Sequence, residues 1–537
     1  MELITVCSAE KIMPDTPPVL REERGVMLQN ERYNFQVACF SDARADAGNC
    51  RLKVVSDIAD CITVRRIGYV PVLLPCYPNA DDDYISKQAG VFPDILFASS
   101  EGYLSAGKWL GFWITVEGSE ALVGTHEITF ELVRDGGEKL ASAPYTLEVR
   151  AETLSSAYFD YTNWIHYDCI CEKHGVEPFS DRFYAVTEKY VQNAVAHGMT
   201  VLFTPLFTPP LDTAVGGERP TVQLVKVSVQ KGVYAFDFSE LDKFVDTGLK
   251  CGIKRFEFSH LCTQWGAKHC PKIMATCEGE YKKLFGWETD STGEAYFAFL
   301  SSFLPALTAY TERKGIKDIC LLHISDEPQR EDLAVYKKVA AHVKKYIGGM
   351  KLIDAVLCAE QADEGDAFVP VPLTHHAEAF LGTKAEVWTY YCCDDRGKYH
   401  PNRLMAMPNE RIRALGVLLY YYGLSGFLHW GYNFYRTQYS LRTVDPYRET
   451  DAGGAFPSGD AFIVYPGEDG PLDSLRHEVF YEGVQDYKAL KALEAKLGRR
   501  GVLTLLEREG VHGFDAYPHT RGWLAALRQK VNDLLQK

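Results

Sequence analysis

The hydrophobic pattern of this 537-residue chain changes once, near residue 155, and that change limits the fold more than any other feature. Before it, apolar and polar residues alternate in short runs separated by turn-like stretches such as Asp135-Gly136-Gly137. A period of two is typical of antiparallel strands with one buried face. The runs cover 33–39, 112–116, 126–132 and 145–149. We therefore predict an N-terminal antiparallel β-sandwich over residues 1–155.

From about residue 160, short apolar segments alternate with longer segments of helical period, such as 296–307 after the capping box Ser291 to Glu294. The predicted strands are 163–170, 200–205, 255–260, 318–324, 351–357, 386–392, 426–430 and 461–465. Strands that alternate with helices indicate a parallel sheet. Eight of them favour a (β/α)8 TIM-type barrel over an open sheet. We place this barrel at 156–495 and a short C-terminal helical extension at 496–537.

Charge and cysteine content restrict the partners and the compartment. With 57 Lys and Arg against 72 Asp and Glu, the net charge is −15, so we expect neither nucleic acid nor an anionic membrane as partner. No apolar run reaches the roughly 20 residues of a membrane span. The N-terminal residues lack a basic segment followed by an apolar one, and the 15 cysteines are an odd number. We expect a cytoplasmic protein, and the sequence leaves a homo-oligomer open.

We expect no metal site and no cofactor. The His and Cys pairs lack the spacing of zinc sites, and neither a dinucleotide-binding, a P-loop nor a nucleophile-elbow motif is present. Neighbouring residues on a strand face opposite ways, which argues against Cys392 and Cys393 binding one ion. The acidic pair Asp394-Asp395 is interpreted as a solvated turn.

The end of the fourth predicted strand, His323-Ile324-Ser325-Asp326-Glu327-Pro328, is the strongest candidate for chemistry. Two adjacent carboxylates follow an apolar strand, and burial there raises the pKa of at least one of them. A carboxylic acid with a raised pKa can protonate a leaving group. Capping of the next helix would account for Asp326 but not for Glu327. We therefore predict Asp326 and Glu327 as catalytic.

The other strand ends carry residues suited to binding sugars. Aromatic rings stack on the C–H face of a pyranose, while Asn and His bind its hydroxyl groups. The predicted substrate-binding residues are Trp388, Tyr391, Trp430, Asn433, Asn163, His166, His260 and Trp265.

Three stretches resemble one known family. They are the segment 323–328, the segment 462–467 with 474–478, and Glu482-Gly483-Val484-Gln485-Asp486-Tyr487. Together they resemble glycoside hydrolase family 123, the β-N-acetylgalactosaminidases, and its uncharacterised relatives. The likeness runs over about 160–495, and the preceding sandwich agrees with that family's layout.

This resemblance implies a retaining exo-glycosidase that uses substrate-assisted hydrolysis of terminal β-linked 2-acetamido sugars. The acetamido carbonyl of the substrate would attack the anomeric carbon, so that the enzyme supplies no nucleophile. Carried over by position, Asp326 would orient the acetamido N–H. Glu327 would protonate the glycosidic oxygen and then deprotonate water.

Two alternatives stay open. One is a glycosidase for sugars without an acetamido group, which needs a second carboxylate opposite Glu327, with Glu257 or Asp168 as candidates. The other is a non-catalytic carbohydrate-binding protein on a hydrolase scaffold, because a fold alone does not determine function.

Overall fold

The computed structural model describes residues 1–537 apart from 359, 361–366 and 394–396. Residues 1–150, all of which are described, form ten strands that pair into two five-stranded sheets, β1-β3-β8-β5-β6 and β2-β10-β9-β4-β7. The strands are β1 (Glu2–Cys7), β2 (Arg24–Leu28), β3 (Arg32–Phe40), β4 (Gly48–Val55), β5 (Ile62–Val72), β6 (Gly90–Phe97), β7 (Glu101–Leu104), β8 (Leu110–Glu117), β9 (Gly124–Arg134) and β10 (Lys139–Arg150). All pairs are antiparallel except β2 with β10. The prediction of N-terminal antiparallel sheets is confirmed.

The two sheets pack against each other through the apolar residues that the alternation assigns to one face. The ring of Phe35 on β3 stacks on that of Tyr145 on β10, with 4.0 Å between centroids and 4° between planes. Val37, Ile114 and Phe130 are fully buried in the same core. Burial of these side chains from both sheets is the main force that holds the sheets together.

The remaining chain alternates strands and helices. In order these are β11 (Asp160–Asn163), α1 (Tyr167–His174), α2 (Asp181–Ala196), β12 (Val201–Thr204), β13 (Lys226–Gln230), β14 (Val233–Asp237), α3 (Ser239–Cys251), β15 (Arg255–Phe258), β16 (Ile273–Cys277), β17 (Glu280–Phe285), α4 (Glu294–Lys314), β18 (Cys320–Leu322), α5 (Leu333–Val343), β19 (Lys351–Val356), β20 (Phe368–Pro372), β21 (Trp388–Tyr390), α6 (Asn409–Tyr422), β22 (Gly426–His429), β23 (Val464–Pro466), β24 (Pro471–Asp473), α7 (Leu475–Arg508) and α8 (Trp523–Gln536). Short 3-10 helices lie at Arg44–Asp46, Ala59–Cys61, Glu120–Leu122, Lys317–Ile319, Arg330–Asp332, Thr374–Phe380 and Gln438–Ser440.

Two parallel sheets carry the centre of this region, β12-β15-β18-β19-β20 and β11-β22-β21. Their edges meet at two places. The Thr200 N–H donates to the Tyr161 carbonyl at 3.0 Å, and an isolated parallel bridge joins Leu373 to Tyr390. The chain is thus a mixed α/β protein with several domains. Because regular strand pairing is interrupted at both places, the structure does not establish the predicted closed (β/α)8 barrel.

Two prolines explain the interruption beside β20. Pro370 and Pro372 lie two residues apart, so they face the same neighbouring strand, and neither has an N–H to donate. The Pro372 carbonyl accepts from the Thr389 hydroxyl at 2.9 Å, which identifies β21 as that neighbour. The β20–β21 contact therefore lacks regular ladder bonds.

Three details of the strand prediction need correction. The first strand ends at Asn163, and α1 already begins at Tyr167, within the predicted 163–170. The segment 461–465 is not a parallel strand, because β23 pairs only with β24, and in antiparallel fashion. The strand β20 lies in a segment that the sequence analysis left unassigned, so 386–392 and 426–430 hold the seventh and eighth parallel strands instead of the sixth and seventh.

The boundaries 1–155, 156–495 and 496–537 stay predictions. The helix α7 continues through residue 495, with a kink at Gly498. Buried ion pairs tie the N-terminal sheets to the C-terminal helices, for example Arg65 to Glu478 at 2.6 Å and Glu31 to Arg528 at 2.8 Å.

None of the helices in the described part of the chain combines the length and the apolar character that crossing a bilayer requires.

Candidate active site

Asp326 and Glu327 follow strand β18 and line a pocket of about 330 Å³ at the carboxyl ends of the parallel strands. Its walls are mostly aromatic or aliphatic, with a few polar groups, as expected of a small-ligand site. The aromatic members are Tyr77, Trp164, Trp265, Tyr390, Trp430 and Phe456, and the polar ones beside the pair are Asp212, Gln264 and Gln438.

The backbone at Glu327 has an unfavourable conformation. Its φ is +44°, in the left-handed region that residues other than glycine rarely adopt, and Asp212 and Trp265 in the same pocket also have positive φ. The Tyr390 hydroxyl donates to Glu327 Oε1, and the Trp265 N–H donates to the Asp326 carbonyl at 2.8 Å. Such strain persists only where surrounding contacts enforce it, and it concentrates at functional sites.

The Asp326 carboxyl carries a strongly raised pKa. Burial is the main cause, and the negative charge of the neighbouring Glu327 adds to it. A weaker contribution in the same direction comes from Asp212. Because two adjacent carboxylates resist being ionised together, the pair holds a proton to a higher pH than isolated side chains would.

A buried carboxylate below the pocket holds the loop that carries the pair. Asp354 Oδ1 accepts from the backbone N–H groups of Ile324 at 3.1 Å and Ser325 at 3.3 Å, directly before Asp326. Its Oδ2 accepts from the Tyr336 hydroxyl at 2.7 Å. These bonds fix the backbone that presents both catalytic candidates.

His323 bridges two buried carboxylates. Its Nδ1 lies 3.0 Å from Asp354 Oδ1 and its Nε2 lies 2.6 Å from Glu257 Oε1. Burial alone would lower the pKa of His323, but the hydrogen bonds to Asp354 and Glu257 raise it to about 9. His323 is therefore an imidazolium at neutral pH, and both ring nitrogens donate.

The carboxylates considered as an alternative nucleophile are placed outside the pocket. Glu257 is fully buried and accepts from Thr162 at 2.6 Å and Trp164 Nε1 at 2.9 Å, in addition to His323. Asp168 pairs with Arg219 at 2.6 Å, and this cation outweighs burial to lower the pKa of Asp168. Asp212, by contrast, lines the pocket, and burial raises its pKa to about 6.

Four of the ten sequence-predicted site residues come together. Trp265 and Trp430 line the pocket with Asp326 and Glu327. Trp265 is 37% exposed, so one ring face is available to a ligand. The Trp430 indole donates to Asp460 at 3.0 Å, which holds the ring against the pocket.

The other six do not line this pocket. They are Asn163, His166, His260, Trp388, Tyr391 and Asn433, all less than 5% exposed. Two of them form a chain of hydrogen bonds that supports Trp430, which does. His166 Nδ1 accepts from Arg219 at 3.1 Å, so its Nε2–H donates to the Trp430 carbonyl at 2.8 Å. The Asn433 side chain bonds the His166 backbone twice, at 2.8 and 3.1 Å.

Sequence reasoning missed Tyr390, Asp212 and Tyr77. Alternation along β21 could have identified Tyr390, because Trp388 and Tyr390 share a face that Tyr391 does not. Asp212 lies on a loop after β12 with little local signal. Tyr77 comes from the loop between β5 and β6 of the N-terminal sheets, and no local pattern connects it with a pocket that is distant in sequence.

Among the residues that the structure describes, two groups of side chains have donor atoms close enough to hold an ion. They are His260 with His323 and Asp354, and His197 with Asp473 and His477. In the first group, both ring nitrogens of His323 and both oxygens of Asp354 already have partners. A cation there would have to displace the protons of an imidazolium. The acidic pair Asp394-Asp395 lies outside the described residues.

Comparison with known proteins agrees with this arrangement. A sequence model described as the catalytic domain of glycoside hydrolase 123 matches residues 164–493, which include Asp326, Glu327, Trp265 and Trp430. A search of curated proteins found no significant match.

Among solved structures, a family 123 glycoside hydrolase from Clostridium perfringens, studied for glycolipid glycan hydrolysis, is similar over 100% of this chain and 97% of its own. The TM-score is 0.74 at 15% identity, which indicates a shared fold over both parts of the chain. A β-glucuronidase from Bacteroides uniformis covers 85% of this chain and 50% of its own, at TM-score 0.33 and 10% identity. A likeness that low carries no argument. Because the family's catalytic domain matches more than half of the sequence, the chain belongs to glycoside hydrolase family 123.

Proposed function

We propose that this chain is a retaining, exo-acting glycoside hydrolase that cleaves terminal β-linked 2-acetamido sugars of the N-acetylgalactosamine type. The observation that carries the proposal is the adjacent pair Asp326 and Glu327 in an aromatic pocket, with Glu327 held by Tyr390. We also propose that the two parallel sheets together form one (β/α)8 barrel, with the pocket at its carboxyl end.

The proposed mechanism is substrate-assisted. The acetamido N–H of the bound substrate donates to Asp326 and stabilises its ionised form, so that the proton that the pair shares moves to Glu327. Asp326, as carboxylate, then orients the carbonyl oxygen toward the anomeric carbon. That oxygen forms the new bond while Glu327 gives its proton to the departing glycosidic oxygen. The new bond closes a five-membered oxazolinium ring on the sugar. Glu327 then removes a proton from water, and the water oxygen attacks the anomeric carbon. This attack opens the ring and restores the starting configuration.

The placement of the carboxylates supports this over a protein nucleophile. A classical retaining pair stands about 5 to 5.5 Å apart on opposite sides of the sugar. The neighbouring carboxyl groups of Asp326 and Glu327 instead suit a mechanism in which one lies beside the acetamido group and the other beside the leaving oxygen. Glu257 and Asp168 are both committed to buried partners.

One observation favours a second candidate, a glycosidase for sugars without an acetamido group. Asp212 is a third carboxylate in the same pocket as Glu327, and its pKa of about 6 leaves it ionised at neutral pH. In this alternative, Asp212 attacks the anomeric carbon.

The test measures aryl alcohol release from aryl β-N-acetylgalactosaminide, β-N-acetylglucosaminide and β-galactoside. We expect release from an acetamido sugar alone, lost in Glu327→Gln and largely kept in Asp212→Asn. Cleavage of the β-galactoside that Asp212→Asn abolishes would overturn substrate assistance. Sugar binding without any hydrolysis would favour a non-catalytic carbohydrate-binding role.

A cytoplasmic location is also a proposal, supported by the odd count of 15 cysteines. Fractionation of cells that produce the protein tests it.

A further inference from the structure

Two cysteines that are adjacent in sequence line the same pocket. Cys392 and Cys393 both belong to the wall that also holds Glu327 and Trp430. Strand β21 ends at Tyr390, so strict alternation no longer applies two residues later. The expectation that these two side chains face opposite ways is therefore wrong.

The side chains of these two cysteines interact with each other. Both residues are thiols, and a hydrogen bond between their side chains is the largest influence on Cys392, whose pKa it raises together with burial. The Asn402 amide donates to the Cys392 carbonyl at 3.0 Å, which holds the backbone at Cys392. Cys392 is 9% exposed and Cys393 is half-buried, so a small molecule in the pocket can reach them.

We propose that Cys392 and Cys393 form a dithiol site that captures trivalent arsenicals inside the active-site pocket. With phenylarsine oxide, two As–S bonds form, and both S–H bonds break. The two protons go to the oxo oxygen, which leaves as water. Arsenic stays trivalent, so that no oxidant or reductant is needed.

The surroundings favour a two-sulfur ligand over other thiol chemistry. A tetrahedral zinc ion needs four donors, and the described side chains that converge on a common ion position do not include these cysteines. Alkylation needs a thiolate, which the raised pKa of Cys392 makes scarce at neutral pH. An arsenical needs only two neighbouring sulfurs, and its affinity increases because the second As–S bond forms within the same molecule.

Capture also blocks the pocket. The phenyl group of the bound reagent would occupy space beside Trp430 and Phe456, where the sugar is expected. This consequence rests on the proposed function, whereas capture itself does not.

The experiment compares the wild-type protein with Cys392→Ser, Cys393→Ser and the double variant, and uses phenylarsine oxide as probe. Native intact mass and peptide mapping report uptake. We expect the wild type to take up one phenylarsenic unit, mapped to 392–393, at a concentration roughly a hundredfold lower than either single variant requires at that position. A dithiol such as 2,3-dimercaptopropanol should remove it. Cys171→Ser, which replaces a half-buried thiol on α1, is the matched control and should keep wild-type uptake.

Arsenic mapped to other cysteines, or equal uptake by the single variants, would overturn the site. Mapping on the wild type does not depend on whether any variant folds. The Glu327→Gln variant should take up the reagent normally, so that capture can be scored even if the protein hydrolyses none of the test glycosides. In an active preparation, capture at 392–393 without loss of hydrolysis would show that the pair does not lie in the path of the substrate.

Discussion

Two buried pairs of carboxylates in this protein have opposite electrostatics. In the pocket, burial and mutual repulsion raise the pKa of Asp326 next to Glu327. Between the N-terminal sheets and α7, the pKa values of Asp473 and Glu478 are lowered although burial opposes this. The difference lies in the neighbouring cations. His197 lowers the pKa of Asp473 most, and Arg65, at 3.0 Å, adds to this. Arg65, at 2.6 Å, lowers the pKa of Glu478 most.

The contrast separates the candidate active site from a structural cluster of ion pairs. An ion pair that satisfies its carboxylates stabilises the folded chain but fixes their protonation state. The pocket leaves its pair with a shared proton and with an unfavourable backbone at Glu327, so that it can donate and accept protons during a reaction. Five predictions test this contrast, beginning with the largest expected effect.

Asp326→Asn should lower kcat on an acetamido glycoside by about a thousandfold, because the neutral amide no longer orients the acetamido group as a carboxylate does. The melting temperature should stay the same or rise, since a repelled charge is removed. Steady-state kinetics and calorimetry measure both. Asp318→Asn, on the exposed turn just before β18, is the matched control. Full activity in Asp326→Asn would contradict the assigned role.

Arg65→Met should have the reverse effect, with unfolding free energy reduced by about 3 kcal/mol and kcat kept at temperatures where the protein is folded. It leaves Glu478 only Arg32 at 3.8 Å and His197 at 3.3 Å. Chemical denaturation measures the change. Arg24→Met removes one of the two partners of Glu148, and because the Arg24 side chain is largely exposed, the loss should cost much less.

The same variant tests the pH dependence of stability. Because the pKa values of Asp473 and Glu478 are lowered in the folded chain, their contribution is complete above the ordinary carboxyl range near 4 and is lost as the pH falls below it. Arg65→Met should therefore lose less stability on acidification than the wild type. Equal slopes would show that the cluster contributes little.

Tyr390→Phe should lower kcat about tenfold with little change in KM, because it removes the hydrogen bond that positions Glu327. The pH–rate profile should shift as well, which a purely structural role would not produce. Tyr391→Phe is a closely matched control, since the Tyr391 hydroxyl is buried and makes no hydrogen bond with the described residues. Equal effects in both variants would rule out a specific role for Tyr390.

Glu327→Gln should lower the pKa of Asp326 toward its ordinary value, because the neighbouring negative charge is gone. Carbon NMR of the labelled carboxyl measures the shift. An unchanged pKa would mean that burial alone raises the pKa of Asp326. Repulsion by Glu327 would then play no part in the difference from the Arg65 cluster.

Features that depend on residues close in sequence could be predicted, whereas features that depend on contacts between distant segments could not. Alternation within single segments predicted the antiparallel sheets, and the adjacency of Asp326 and Glu327 identified the candidate catalytic pair. Tyr391 was chosen where Tyr390 lines the pocket, because the face of a strand is set by the register of its neighbours. The prolines of β20 kept this segment from being predicted as a strand, although it pairs regularly with β19.

Local order along the chain thus determined the class of elements, the candidate catalytic pair and the family, since each depends on residues close in sequence. The folded arrangement determined the rest. Tyr77 reaches the pocket from the N-terminal sheets, and Asp354 on β19 holds the loop that carries the candidate pair, with His323, directly after β18, bonded to it. Whether a buried carboxylate is a proton donor or half of an ion pair follows from distances to groups far away in sequence, because electrostatic interactions depend on separation in space.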